Sequence, residues 1–100
     1  MTMNINKTLD GSKLTVAIEG RLDTMTAPEL EASLKDSLDG LTELVLDCKA
    51  LDYISSAGLR VLLATQKRMN VQGSMKLIGV NETVNEIFEI TGFSDILTIE

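Results

Sequence analysis

The sequence predicts an α/β fold built on a mixed, mostly parallel sheet in the order β-β-α-β-α-β-α-β. Three observations carry that expectation. Apolar residues alternate at period two on either side of Asp10-Gly11, they recur at helical spacing in three later segments, and short apolar runs separate those segments. Strands that alternate with helices imply parallel pairs joined by right-handed crossovers, here with a hairpin in front. The chain has 100 residues and shows no linker, repeat or low-complexity stretch, so one domain over residues 1–100 is expected.

Residues Met3 to Leu9 alternate, with Met3, Ile5, Lys7 and Leu9 on one side. Asp10-Gly11 then reads as a hairpin turn. Leu14, Val16 and Ile18 alternate with Lys13, Thr15, Ala17 and Glu19, so a second strand pairs antiparallel with the first and ends at Gly20. Thr26-Ala27-Pro28-Glu29 fits a capping box with proline in the first turn, Leu30, Leu34, Leu38 and Leu41 follow at helical spacing, and Gly40 marks the helix end. Leu44-Val45-Leu46 is a continuous apolar run, as in a strand covered on both faces.

A second helix starts near Ser55 or Ser56. Leu59, Leu62, Leu63 and Met69 form its buried side, Arg60, Lys67 and Arg68 its exposed side, and Gly73 breaks it. Met75, Leu77 and Ile78 make the next strand. Asn81 caps a third helix with Val84, Ile87 and Phe88 inward and Gly92 just past its end. Ile96, Leu97 and Ile99 make a last short strand. The methionines read as gap-filling core or terminal residues.

Composition removes most chemistry. There is no histidine and one cysteine, so neither a Ser-His or Cys-His nucleophile pair nor a zinc site of the usual His and Cys ligands can be assembled. Cys48, at an apolar strand end, reads as a small buried residue and not as a nucleophile. No phosphate-cradling glycine loop of either common type is present, and the carboxylates form no metal-ligand pattern. No catalytic residue, metal or cofactor is assigned, and an enzyme is not expected. The net charge of −6 is spread along the chain, which argues against nucleic acid, where phosphate contacts need clustered Lys and Arg. No apolar run suits a membrane span, and Met1 to Lys7 lacks the charged-then-apolar pattern of a signal peptide, so a soluble cytoplasmic protein without membrane insertion is expected.

One segment suits a switch. Loops at the carboxyl ends of parallel strands share an edge of the sheet, so the loop at Asp23 and the loop after Tyr53 are expected to meet. A serine at the start of the second helix then lies where backbone N–H groups lack partners and the helix dipole favours negative charge. Serine is also a common helix cap, and in the mixed reading one serine caps while the other is modified. Gly58 divides evenly between close helix packing and function. Arg60 and Val61 are expected to project from the second helix.

The segment Leu51-Asp52-Tyr53-Ile54-Ser55-Ser56-Ala57-Gly58-Leu59-Arg60-Val61-Leu62-Leu63 resembles the signature of STAS domains as found in anti-sigma factor antagonists. Gly20-Arg21-Leu22-Asp23 followed by Thr26-Ala27-Pro28-Glu29-Leu30, and Ile90-Thr91-Gly92-Phe93, are similar to two further family segments. The resemblance covers nearly the whole chain. It puts Ser55 at the family's aspartate position, Ser56 at the phosphoserine position and Ala57 at a second hydroxyl position. Two departures follow: the acidic residue before the phosphoserine is replaced by Ser55, which becomes a competing acceptor, and the position after it is Ala57.

What the resemblance implies is an anti-sigma factor antagonist. Unmodified, it would bind an anti-sigma factor serine kinase and release a sigma factor. Phosphorylation at Ser56, with Ser55 as the alternative, would end the complex, and a serine phosphatase would reverse it. The expected partner surface is Asp23, Ser55, Ser56, Gly58, Leu59, Arg60 and Val61, on a monomer or weak dimer. The alternative is a STAS regulatory subunit of an ABC-type lipid transport ATPase complex, and the third reading is a small enzyme or nucleotide hydrolase.

Overall fold

The structure, a computed structural model, describes residues 3–100. Strand β1 (Met3–Asp10) turns through Gly11 into β2 (Lys13–Leu22). Then come α1 (Ala27–Ser37), β3 (Glu43–Asp47), β4 (Leu51–Ile54), α2 (Ser56–Gln72), β5 (Ser74–Ile78) and α3 (Glu82–Thr91), followed by a 3-10 turn at Phe93–Asp95. The mixed sheet and three helices agree with the sequence. Two elements differ: β4 is an additional strand, and the last strand shrinks to one parallel bridge between Leu77 and Ile99. The 3-10 turn leaves only a few residues to run beside β5, where Leu77 bonds to the backbone of Thr98 and Glu100.

Strand β2 organises the sheet. It pairs antiparallel with β1, with Leu9 opposite Leu14. On its other side it pairs in parallel with β3 from Lys13 to Ala17, and then with β4 at its carboxyl end. Gly20 does not end the strand. It lies at φ 97° where the register slips, so that Gly20 faces Leu51 while Arg21 faces Tyr53. A glycine at positive φ absorbs such an irregularity without a Cβ penalty, and the strand continues to Leu22.

One face of the sheet carries the core. Leu14, Val16 and Ile18 of β2, Leu44 and Leu46 of β3, and Met75 and Leu77 of β5 join a single buried cluster with Leu30, Leu34, Leu62, Met69, Val84 and Phe88 from the three helices. Val45 is also buried but stands outside that cluster, because strand residues alternate between faces. The same alternation leaves Ile78 half-buried, and Leu63 and Ile87 on helix flanks are half-buried too. Leu9, at the hairpin end of β1, is exposed. Met3, Met69 and Met75 fill the core, whereas Met25 is exposed; Met1 lies outside the described residues.

The helix ends show what local sequence can settle. Asn81 caps α3: its side-chain oxygen accepts from the Val84 N–H at 2.8 Å, and its amide donates to the Leu51 carbonyl at 2.8 Å, tying α3 to β4. Gly92 closes that helix in the left-handed conformation. At Gly73, a side chain would run into the Thr42 carbonyl, so α2 can pass into β5 only with glycine there.

Leu62 is 1% exposed at the centre of the cluster. Leu62→Ala is expected to cost about 2–5 kcal/mol, which lowers the melting temperature of a domain this size by roughly 10 °C or more. An unchanged thermal melt would mean that the inner face of α2 is misassigned.

Candidate functional site

The site is built where β2 and β4 end side by side. Leu22 faces Ile54, and the Ser55 N–H donates to the Leu22 carbonyl at 2.8 Å. The next residues are Asp23 on one side and Ser55-Ser56 on the other, so the loops expected to meet do meet. Ser55 is the N-cap residue of α2 and Ser56 its first helical residue.

The Asp23 loop is a closed hydrogen-bonded turn. One carboxylate oxygen of Asp23 accepts from the N–H groups of Met25 and Thr26 at 3.0 and 3.1 Å. The Thr26 hydroxyl donates to the Arg21 carbonyl at 2.7 Å and accepts from the Asp23 N–H at 2.9 Å. The capping box expected at Thr26 is therefore not formed. Thr26 is already helical at φ −99°, ψ −20°, and its hydroxyl is spent on Arg21 and Asp23. Asp23 takes over the acceptor role, and its carbonyl also receives the Ala27 N–H at 2.8 Å.

The electrostatics follow from this turn. Desolvation pushes the Asp23 carboxyl upward, but the bonds from the Thr26 and Met25 N–H groups and the Thr26 hydroxyl, with Arg21 nearby, outweigh it and hold its pKa below the ordinary 3.8. The Arg21 Nε lies 3.8 Å from the Asp23 carboxylate, and its guanidinium sits 4.4 Å from the centre of the Tyr53 ring. Arg21 and Tyr53 are register partners, so the stack clamps β2 to β4 directly beneath the loops.

The two serines separate by exposure. Ser56 is exposed. The Ser55 hydroxyl is buried and has no hydrogen-bond partner among the described residues. The side-chain cap that one of the two serines was expected to supply is absent: Ser55 has the extended backbone of a cap, φ −100°, ψ 177°, but its hydroxyl makes no bond to the first turn.

Of the other expected surface residues, Arg60 is exposed, while Gly58, Leu59 and Val61 are buried. Gly58 is a packing position, because a Cβ there would lie 2.7 Å from the Leu22 Cγ and 2.8 Å from the Ile54 Cγ1. Val61 was expected to project beside Arg60. Instead α1 packs against α2 on that side, and Val61, Thr65 and Arg68, at i, i+4 and i+7, line a groove of about 310 Å³ facing Leu34 of α1 and Leu38 just past its end. The expectation lacked that second wall. Cys48 is 1% exposed, and burial, with the Asp47 carboxylate, pushes its thiol up to about 12, so it is no nucleophile at neutral pH. Among the described residues no cluster of three or more metal-ligating side chains occurs, and no helix is long and apolar enough to cross a membrane. Met25, 81% exposed within the Asp23 turn, was not anticipated; its signal was one apolar residue in the polar run Asp23-Thr24-Met25-Thr26.

The family model for the STAS domain matches residues 4–100. This chain belongs to the STAS family. A Bordetella bronchiseptica protein bearing the name anti-sigma factor antagonist BtrV is 41% identical to this STAS domain over 101 aligned residues, covering 99% of this chain and 85% of that protein. The anti-sigma-B factor antagonist of Staphylococcus aureus is 31% identical, covering 99% of this chain and 94% of that protein. In solved structures, the STAS domain shares its fold with an anti-sigma factor antagonist from Mycobacterium paratuberculosis, with a TM-score of 0.88 at 21% identity over 98% of this chain and 85% of that one. It also shares it with Bacillus SpoIIAA in its phosphorylated form, with a TM-score of 0.74 at 15% identity over 99% of this chain and 91% of that one.

Two outcomes test this geometry. Gly58→Ala forces Leu22 or Ile54 to move at a cost of about 1–3 kcal/mol, against a gain in helix propensity of about 1 kcal/mol, so net destabilisation on the order of 1 kcal/mol is expected in thermal melts. The Asp23 carboxyl is expected to titrate below 3.8 by carboxyl-carbon NMR. Because its folded pKa is lowered, its stabilisation of the turn is complete above the unfolded value and is lost as pH falls through the folded one. A midpoint at or above 3.8 would contradict the turn.

Proposed function

We propose that this chain is an anti-sigma factor antagonist that works by switching partners. Unmodified, it binds an anti-sigma factor with serine kinase activity and so frees a sigma factor. The kinase then phosphorylates Ser56, and a phosphatase reverses the modification. The observation that carries this reading is the exposed hydroxyl of Ser56 at the start of α2, beside the ordered Asp23 turn. The names of the Bordetella and Staphylococcus relatives, 41% and 31% identical, support it.

The chemistry is ordinary phosphoryl transfer. The Ser56 oxygen attacks the γ-phosphorus of ATP, ADP leaves, and the hydroxyl proton is released to a base of the kinase. Hydrolysis by the phosphatase returns the hydroxyl and inorganic phosphate. The phosphate adds about −1.5 to −2 charges at a helix N-terminus, where the dipole tolerates them. The fold therefore survives, and the cost falls on the complex, where a surface fitted to a small neutral hydroxyl meets a dianion near the Asp23 carboxylate.

The choice of Ser56 over Ser55 rests on access. A kinase can reach an exposed hydroxyl at Ser56, while that of Ser55 is buried. Ser55→Ala removes a buried, unpaired hydroxyl and no cap bond, so it is expected to leave stability nearly unchanged.

The test uses purified anti-sigma factors encoded in the source genome. Incubation with ATP and tandem mass spectrometry is expected to place phosphate on Ser56. Ser56→Ala is expected to abolish labelling and keep binding, and Ser56→Asp to weaken binding. Phosphate on Ser55 alone would overturn the assignment of the site. Phosphate on neither serine, with a transport ATPase as the bound protein, would favour the regulatory-subunit alternative.

A further inference from the structure

Among the described residues, the large apolar side chains left in solvent are Leu9, Met25, Val71, Ile90 and Ile96. Topology divides them. Leu9 faces Leu14 at the beginning of β2, and Val71 and Ile90 are near the ends of α2 and α3, which run back from the carboxyl edge of the parallel strands. Ile96 precedes the segment that runs parallel to β5. These four lie toward the amino edge. Met25 alone belongs to the carboxyl edge, with Asp23 and Ser56.

A single exposed apolar residue is unremarkable in itself. What distinguishes Met25 is how it is held. Its own N–H and that of Thr26 bond to the Asp23 carboxylate, the Thr26 hydroxyl bonds to Arg21 and Asp23, and the Leu22 carbonyl receives the Ser55 N–H. The backbone that carries Met25 is therefore fixed relative to the start of α2. A long, unbranched, polarisable side chain on a rigid turn loses little backbone freedom on docking and adapts its own rotamers to a pocket.

We infer that Met25 is the apolar anchor of the partner surface, seated in an apolar pocket of the anti-sigma factor. The inference rests on the function proposed above and adds the contact that supplies its apolar affinity. It also explains how a phosphate on Ser56 breaks the complex. A hydrated dianion on the same edge keeps water at the rim, and the pocket around Met25 cannot close dry.

The experiment titrates wild type, Met25→Leu and Met25→Gln calorimetrically against purified anti-sigma factors from the source genome, with thermal melts of each variant alone. All three are expected to melt alike. Met25→Leu is expected to bind within about twofold of wild type, and Met25→Gln roughly tenfold or more weakly, with a less negative heat-capacity change. Wild-type affinity in Met25→Gln would overturn the anchor and leave the proposed function standing, as would an equal loss in both variants. Failure of wild type to bind any anti-sigma factor would remove the proposed function, and this inference with it.

Discussion

The geometry of this domain depends on β2 being paired along its whole length. Its first half is held between β1 and β3, and its last residues between β1 and β4 or by β4 alone. β3 and β4 thus act as two short pieces of one neighbouring strand, and the slip at Gly20 reconciles their registers. Without the β4 pairing, Leu22 and Ile54 would not end side by side, the Ser55 N–H would lose its acceptor, and the Asp23 turn and the α2 start would drift apart. The Arg21–Tyr53 stack and the Asn81 bond to Leu51 both reinforce this last short pairing.

The fold was legible wherever local chemistry decides. The 3.6-residue spacing of Leu30 and Leu34, the Asn81 cap, Gly92 in the left-handed conformation and the continuous run Leu44-Val45-Leu46 all take the expected form. Illegible features depend on tertiary partners. β4 is four residues long with an exposed Asp52 inside it, so its pattern is too short to declare a strand. Ile96, Leu97 and Ile99 are apolar enough for a strand but obtain one bridge only. Val61 looks solvent-facing until α1 is docked beside it.

The candidate site was legible in position and not in detail. Parallel-strand topology sufficed to bring Asp23 and the serines to one edge. The hydroxyl roles did not follow, because Ser and Thr have several local acceptors within reach and the backbone decides among them. Thr26 turns to Arg21 and Asp23 instead of its own helix, and the Ser55 hydroxyl takes no partner. The result is a site whose Asp23 turn is rigid, while the first turn of α2 keeps backbone donors without a side-chain cap.

The single thiol has a use of its own. Cys48 follows β3 with its N–H bonded to the Ile78 carbonyl at 2.8 Å, and its sulfur is sealed from solvent. A thiol reagent can reach it only when that part of the sheet opens, so the labelling rate equals the opening equilibrium multiplied by the intrinsic rate of an exposed thiol, provided that reclosing is fast. The protein thus carries a built-in clock for the β3–β5 seam. Cys48 stands at the carboxyl end of that seam, and its carbonyl receives the Leu51 N–H at the start of β4, so the clock also registers loosening of the strand that leads to Ser56.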